Sequence, residues 1–159
     1  MAAGELIGNL VQISNQKYAI FEEILDLTNS QTGAIASEDF ELLGNLIQEK
    51  QKRITQVEPL DEQFNSLYSK LKEELGVSSM EQLTGNDVPG ITELKNIISK
   101  LLEIIDQISE VEKRNNDSMK TLLENNKKQI KDVVYGKKAL LAYSNKSYES
   151  PSYFIDKKK

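Results

Sequence analysis

The side chains of this sequence best suited to chemistry are suited to contact rather than to bond making. Asn115 and Asn116 stand in the polar stretch Arg114-Asn115-Asn116-Asp117-Ser118, and Met119, Leu122 and Leu123 follow at helical spacing. Amides bring paired donors and acceptors and the aliphatic groups bring surface to bury, the equipment for gripping another helix. Two uses fit these residues. The amides either pin the register of a helical bundle from inside or contact a partner, and the apolar set either completes the core or lines an exposed groove. Ile130, Val133 and Val134 continue the same spacing.

Covalent and acid–base chemistry has little to draw on. The chain has no Cys and no His, which removes thiolate nucleophiles, disulfides, histidine general bases and the common zinc and haem ligand sets. Carboxylates are plentiful, but they lie at helix-surface spacing among Lys and Gln, the pattern of solvated faces rather than of a hydrolytic pair. The expectation is a protein that is not an enzyme, with no catalytic residue, no cofactor and no metal.

The elements that must position the contact residues are helices. At 159 residues the chain fits one domain of ordinary size, yet only 38% of it is apolar and 6% aromatic against 28% charged, the balance of a thin bundle with a large wet surface. Leu6, Ile7, Leu10, Tyr18, Phe21, Ile24, Leu25 and Ile35 step by threes and fours and predict one helix over 4–35. A weak point at Gly33-Ala34-Ile35-Ala36 closes it, and Ser37 or Asp39 is placed to cap the next helix. The second, over 38–75, carries a seam through Leu43, Ile47, Lys50, Ile54, Val57, Leu60, Phe64, Leu67, Leu71 and Leu75, whose phase survives Pro59, where a kink is expected. Gly, Asn, Asp and Pro break the pattern over 76–90, and Ser79 with Gln82 matches a capping box for a short connecting helix. The third helix has the broadest apolar face, Leu94, Ile97, Ile98, Leu101, Leu102, Ile104, Ile105, Ile108 and Val111, and Gly136 is its natural stop. The fold class is all-α: an elongated antiparallel bundle of three long helices with a short connecting helix and a C-terminal tail.

Charge and aromatics divide the chain into a helical domain, 1–135, and a tail, 136–159. The tail holds six lysines against Glu149 and Asp156, which leaves it +4 and the body −9 of the total −5. An acidic body is a poor nucleic-acid surface, so no nucleic-acid partner is expected. Five of the ten aromatics, Tyr135, Tyr143, Tyr148, Tyr153 and Phe154, fall at or after the boundary. Such side chains suit a segment that orders on a partner through Leu140, Leu141, Tyr143 and Phe154; the alternative is a tail folded back on its own helices. No stretch reaches the roughly 20 uncharged apolar residues of a membrane span. The start Met1-Ala2-Ala3-Gly4-Glu5 lacks the basic residues of a signal peptide, so the expected compartment is the cytoplasm.

The run Phe40-Glu41-Leu42-Leu43-Gly44-Asn45-Leu46-Ile47-Gln48-Glu49-Lys50-Gln51-Lys52-Arg53-Ile54 resembles the leucine-then-lysine pattern of FlgN-type flagellar export chaperones. The third helix, with Asn115-Asn116, Met119, Leu122-Leu123 and then Tyr135-Gly136, is similar to the asparagine-rich end of that family, and the likeness runs from the opening helix to Tyr143. The resemblance implies a cytoplasmic antiparallel bundle that binds hook-associated proteins of the hook–filament junction and presents them to the flagellar type III export gate. It implies partner-binding residues within 115–143: Asn115, Asn116, Met119, Leu122, Leu123, Ile130, Val134, Leu140 and Tyr143. The segment Ser150–Asp156 departs from the family pattern. The runner-up readings are a chaperone of the filament cap protein and a structural coiled-coil component of the same apparatus. A homodimer that a client dissolves would mark the chaperone, and lasting self-association the structural component.

Overall fold

The structure, a computed structural model, describes residues 2–83 and 88–125; the expected stop at Gly136 and the tail 136–159 lie outside them. Three long helices carry the fold: α1, Ala3–Ala36; α2, Phe40–Leu75; and α3, Ile91–Asn125. Each carries an apolar residue every third or fourth position and buries that stripe, packing that outweighs the Gly residues of α1 and the Gly44 and Pro59 of α2. At about 1.5 Å per residue, the 36 residues of α2 extend roughly 54 Å. Pro59 lies inside α2 on its exposed face and does not end it.

The α1–α2 turn is short because both of its ends are capped locally. Ser37 closes α1, its hydroxyl donating to the Gly33 carbonyl at 3.0 Å. Asp39 opens α2 by accepting from the Leu42 amide at 3.1 Å. Of the two residues expected to cap α2, then, Asp39 does so and Ser37 serves α1 instead. The Lys17–Asp61 ion pair and the Lys50–Gln31 hydrogen bond show α2 running back along α1. Hydrogen bonds from Asn115 to α1, with Ile91 and Leu94 at the opposite end, show α3 running parallel to α1. Each helix thus opposes the one before it, with α1 packed against both others.

The connection matches the sequence expectation in part. The short connecting helix is present as a 3₁₀ helix, Met80–Gln82, but the expected capping box is not, since the Ser79 side chain caps nothing. The Gln82 side chain reaches one residue further back and accepts from the Ser78 amide at 2.7 Å. Met80, Leu83 and Val88 are buried under this loop and plug the end of the bundle, and the Lys95 ammonium donates to the Leu83 carbonyl. The chain enters α3 through Gly90, at φ +87, where an added Cβ would sit 3.0 Å from Ile7 Cγ2. Both the backbone conformation and the close approach of α1 require glycine there.

Two outcomes follow for this end of the molecule. Gly90→Ala loses about 1–2 kcal/mol in urea unfolding from left-handed strain alone. Gly8→Ala, in the open mid-helix of α1 where nothing lies within 4 Å of a new Cβ, is stabilising by about 0.5–1 kcal/mol. Tyr68 is enclosed at 3% exposure, 5.9 Å from the Phe64 ring, and burial pushes its phenol up to about 12. A backbone hydrogen bond with Met80 opposes that shift and the nearby Glu81 charge adds to it. Because the unfolded chain gives up this proton first, stability is lost as pH rises from the ordinary phenol value of 10.0 towards about 12. In an ultraviolet tyrosine titration the Tyr68→Phe variant loses a late phenol that the wild-type protein shows.

Candidate functional site

The seam between the helices is not uniformly apolar. Two polar layers cross it, and both occupy positions where the helical step delivers a side chain to the core. The first layer lies between Leu10 and Phe21 of α1: Ser14 is fully enclosed, and the Lys17 ammonium pairs with Asp61 of α2 at 2.6 Å while lying 5.3 Å from the Phe64 ring centre. Around it the core parts into two clusters. One, at the loop end, is built on Leu6, Leu10, Tyr68, Leu71, Ile91 and Leu94; the other is built on Phe21, Ile24, Ile54, Val57, Leu101 and Ile105.

The second layer joins all three helices. Lys50 of α2, 1% exposed, donates to Gln31 of α1 at 3.1 Å and makes an ion pair with Glu112 of α3. One turn further along α3, Asn115 donates from Nδ2 to the Thr28 carbonyl at 3.1 Å and accepts from the Thr32 hydroxyl at 2.7 Å. Thr28 in turn donates to the Ile24 carbonyl at 2.6 Å. Burial strips water from the Lys50 ammonium and pushes its pKa below the ordinary lysine value, and the Glu112 carboxylate opposes that shift. Enclosed charge of this kind is tolerated because every member of the layer has a partner on another helix.

Beyond this layer lies the hairpin end of the bundle. Ala34, Ile35, Leu43, Ile47 and Met119 are enclosed there, and Phe40, Leu46, Leu122 and Leu123 are half-buried against the same cluster. Leu42 is exposed at 43%, the one large hydrophobic side chain so exposed among the described residues. Glu38, Asp39 and Glu41 lie beside this apolar rim in the sequence, so the end is both sticky and acidic.

The residues singled out from the sequence therefore separate. Asn115 and Met119 are 6% and 3% exposed and face the bundle interior, where Asn115 pins α3 to α1. Asn116 is half-buried, as are Leu122 and Leu123, which remain within reach of a partner at the hairpin end. Ile130, Val134, Leu140 and Tyr143 lie outside the described residues. Lys50 stands in the α2 seam expected from its spacing, whereas its partners Gln31 and Glu112, and the pair Lys17 and Asp61, were not expected. The signal was there: Lys17 falls at the core step between Leu10 and Phe21, and Glu112 and Asn115 occupy the core steps between Ile108 and Met119.

Removing one partner of the Lys50–Glu112 pair leaves a buried charge without compensation. Glu112→Leu alone costs about 3–5 kcal/mol, whereas the double variant Lys50→Met with Glu112→Leu unfolds at or above the wild-type midpoint. Chemical denaturation of the two variants reads out the difference.

Among the described residues no group of His, Cys, Asp or Glu side chains is placed to hold a metal ion, and no helix is long and apolar enough to cross a membrane. No match is found among curated proteins or among solved structures. A family match is found, to the family described as FlgN protein, and it spans residues 1–149, from α1 through all three helices. With most of its length matched, this chain belongs to the FlgN family, a family of flagellar export chaperones.

Proposed function

We propose that this protein is a cytoplasmic flagellar type III export chaperone that binds a hook-associated protein and delivers it to the export gate. Family membership supports the chaperone class. The observation that carries the choice of surface is the apolar rim at the hairpin end, where Leu122 and Leu123 of α3 stand half-buried beside Phe40 and Leu46 of α2 with Leu42 exposed. A client chain laid on that rim completes the burial that the bundle leaves unfinished, by the same helix-in-groove packing that joins the three helices to one another. Asn116 sits on the same stretch of α3, and Ile130, Val134, Leu140 and Tyr143 extend the contact towards the C-terminus in this reading. Asn115 and Met119 act from inside, by holding α3 in place.

The work is binding and release, with no bond made or broken. Held on the chaperone, apolar client surface is kept from aggregation, and the complex gives the client up when a competing surface at the gate takes it.

Isothermal titration with purified hook-associated protein tests the reading, with the filament cap protein as competitor. Leu123→Asp abolishes binding of the hook-associated protein, with a smaller fall in thermal midpoint than a change at an enclosed position because Leu123 is only partly buried. Met119→Asp instead buries an unpaired carboxylate and costs several kcal/mol of stability. Preference for the cap protein, or full binding by the Leu123→Asp variant, contradicts the proposal.

A further inference from the structure

The two parts of α3 are held by different physics. From Ile91 to Val111 every enclosed position of the helix carries an aliphatic side chain. Beyond Val111 the enclosed positions are Glu112, Asn115 and Met119, so two of the three are polar. Ordinary core packing holds the first part, and it is lost all at once on opening. The second part joins hydrogen bonds and one ion pair to the packing of Met119, Leu122 and Leu123. When these open, water takes the place of each partner, and the Lys50 ammonium regains the hydration that burial denies it. Meanwhile the α1–α2 hairpin has its own closure above the layer: Ile35, Leu43 and Ile47 pack across a turn capped at both ends by Ser37 and Asp39. It can stay closed while the end of α3 leaves.

We propose that the polar layer of Gln31, Lys50, Glu112 and Asn115 is a breakpoint at which residues 112–125 detach from the α1–α2 hairpin as one unit while Ile91–Val111 stays packed. Detachment uncovers Ile35, Leu43 and Ile47, a surface already shaped to hold one amphipathic helix, and releases the apolar face of Met119, Leu122 and Leu123. The opened end therefore presents two apolar faces where the closed end presents a rim. The acidic residues Glu38, Asp39 and Glu41 beside it favour an amphipathic client helix with basic flanks. The breakpoint stands on the free protein alone; its use in capturing a client rests on the chaperone reading.

Native-state amide hydrogen exchange at low denaturant, on the full chain without client, tests the breakpoint. Amides 115–120 exchange through a shared opening at least about tenfold more populated than the one that frees amides 97–108, with one common denaturant slope. The double variant Lys50→Met with Glu112→Leu raises the protection of 115–120 towards that of 97–108. A single global opening across 97–120 overturns the proposal. So does a smooth gradient of fraying towards Asn125 without a shared slope, or a gap that the double variant leaves unchanged. If the gap is present and closes in the variant but no hook-associated protein binds, the breakpoint stands and the chaperone reading falls; the wild-type data decide the matter even if the variant does not fold.

Discussion

Three helices of 34, 36 and 35 residues that share one seam face a problem of register. Leu, Ile and Val side chains pack almost as well one turn up or down, so an all-aliphatic seam of this length does not choose its alignment. The layer around Lys50 makes the choice. Its ammonium has to meet Gln31 on one neighbour and Glu112 on the other, and a slip of one turn strands a buried charge. Lys17 with Asp61 repeats the constraint between α1 and α2 nearer the loop end. Stability comes from the aliphatic blocks, and alignment comes from the polar layers between them.

That division of labour bears on function. The layer that aligns α3 also marks where its aliphatic packing ends, and the hairpin end beyond it holds the half-buried Leu122 and Leu123 and the exposed Leu42. A bundle that packed this end as tightly as the loop end would have nothing left to offer. The loop end is plugged instead: Met80, Leu83 and Val88 cover it, Lys95 fastens the cover, and Gly90 lets α3 start against Ile7. Among the described residues one end is plugged and the other keeps an apolar rim.

Much of the fold was legible in the sequence. Helices expected over 4–35 and 38–75 run over Ala3–Ala36 and Phe40–Leu75, since spacing by threes and fours has no competing reading over such lengths. The connection was less legible: the same Ser79 and Gln82 that read as a capping box form a 3₁₀ turn, because the chain there is held by tertiary burial of Met80 and Leu83. Asn115 could be read as pin or as contact, and only the placement of Thr28 and Thr32 opposite it, 87 and 83 residues away in the chain, makes it a pin. Gln31 and Glu112, the partners of Lys50, stayed hidden for the same reason. A charged residue at a core step announces a partner without saying which one.

In the proposed function, clients are held at the hairpin end of the bundle. Methyl-resolved nuclear magnetic resonance of the Ile, Leu, Val and Met side chains, followed while purified hook-associated protein is added, tests it most directly. The account predicts perturbations concentrated at Leu42, Leu46, Met119, Leu122 and Leu123, with Leu6, Leu10, Leu71, Ile91 and Leu94 at the loop end unmoved. Perturbations centred on the loop end, or none at saturating client, would contradict it.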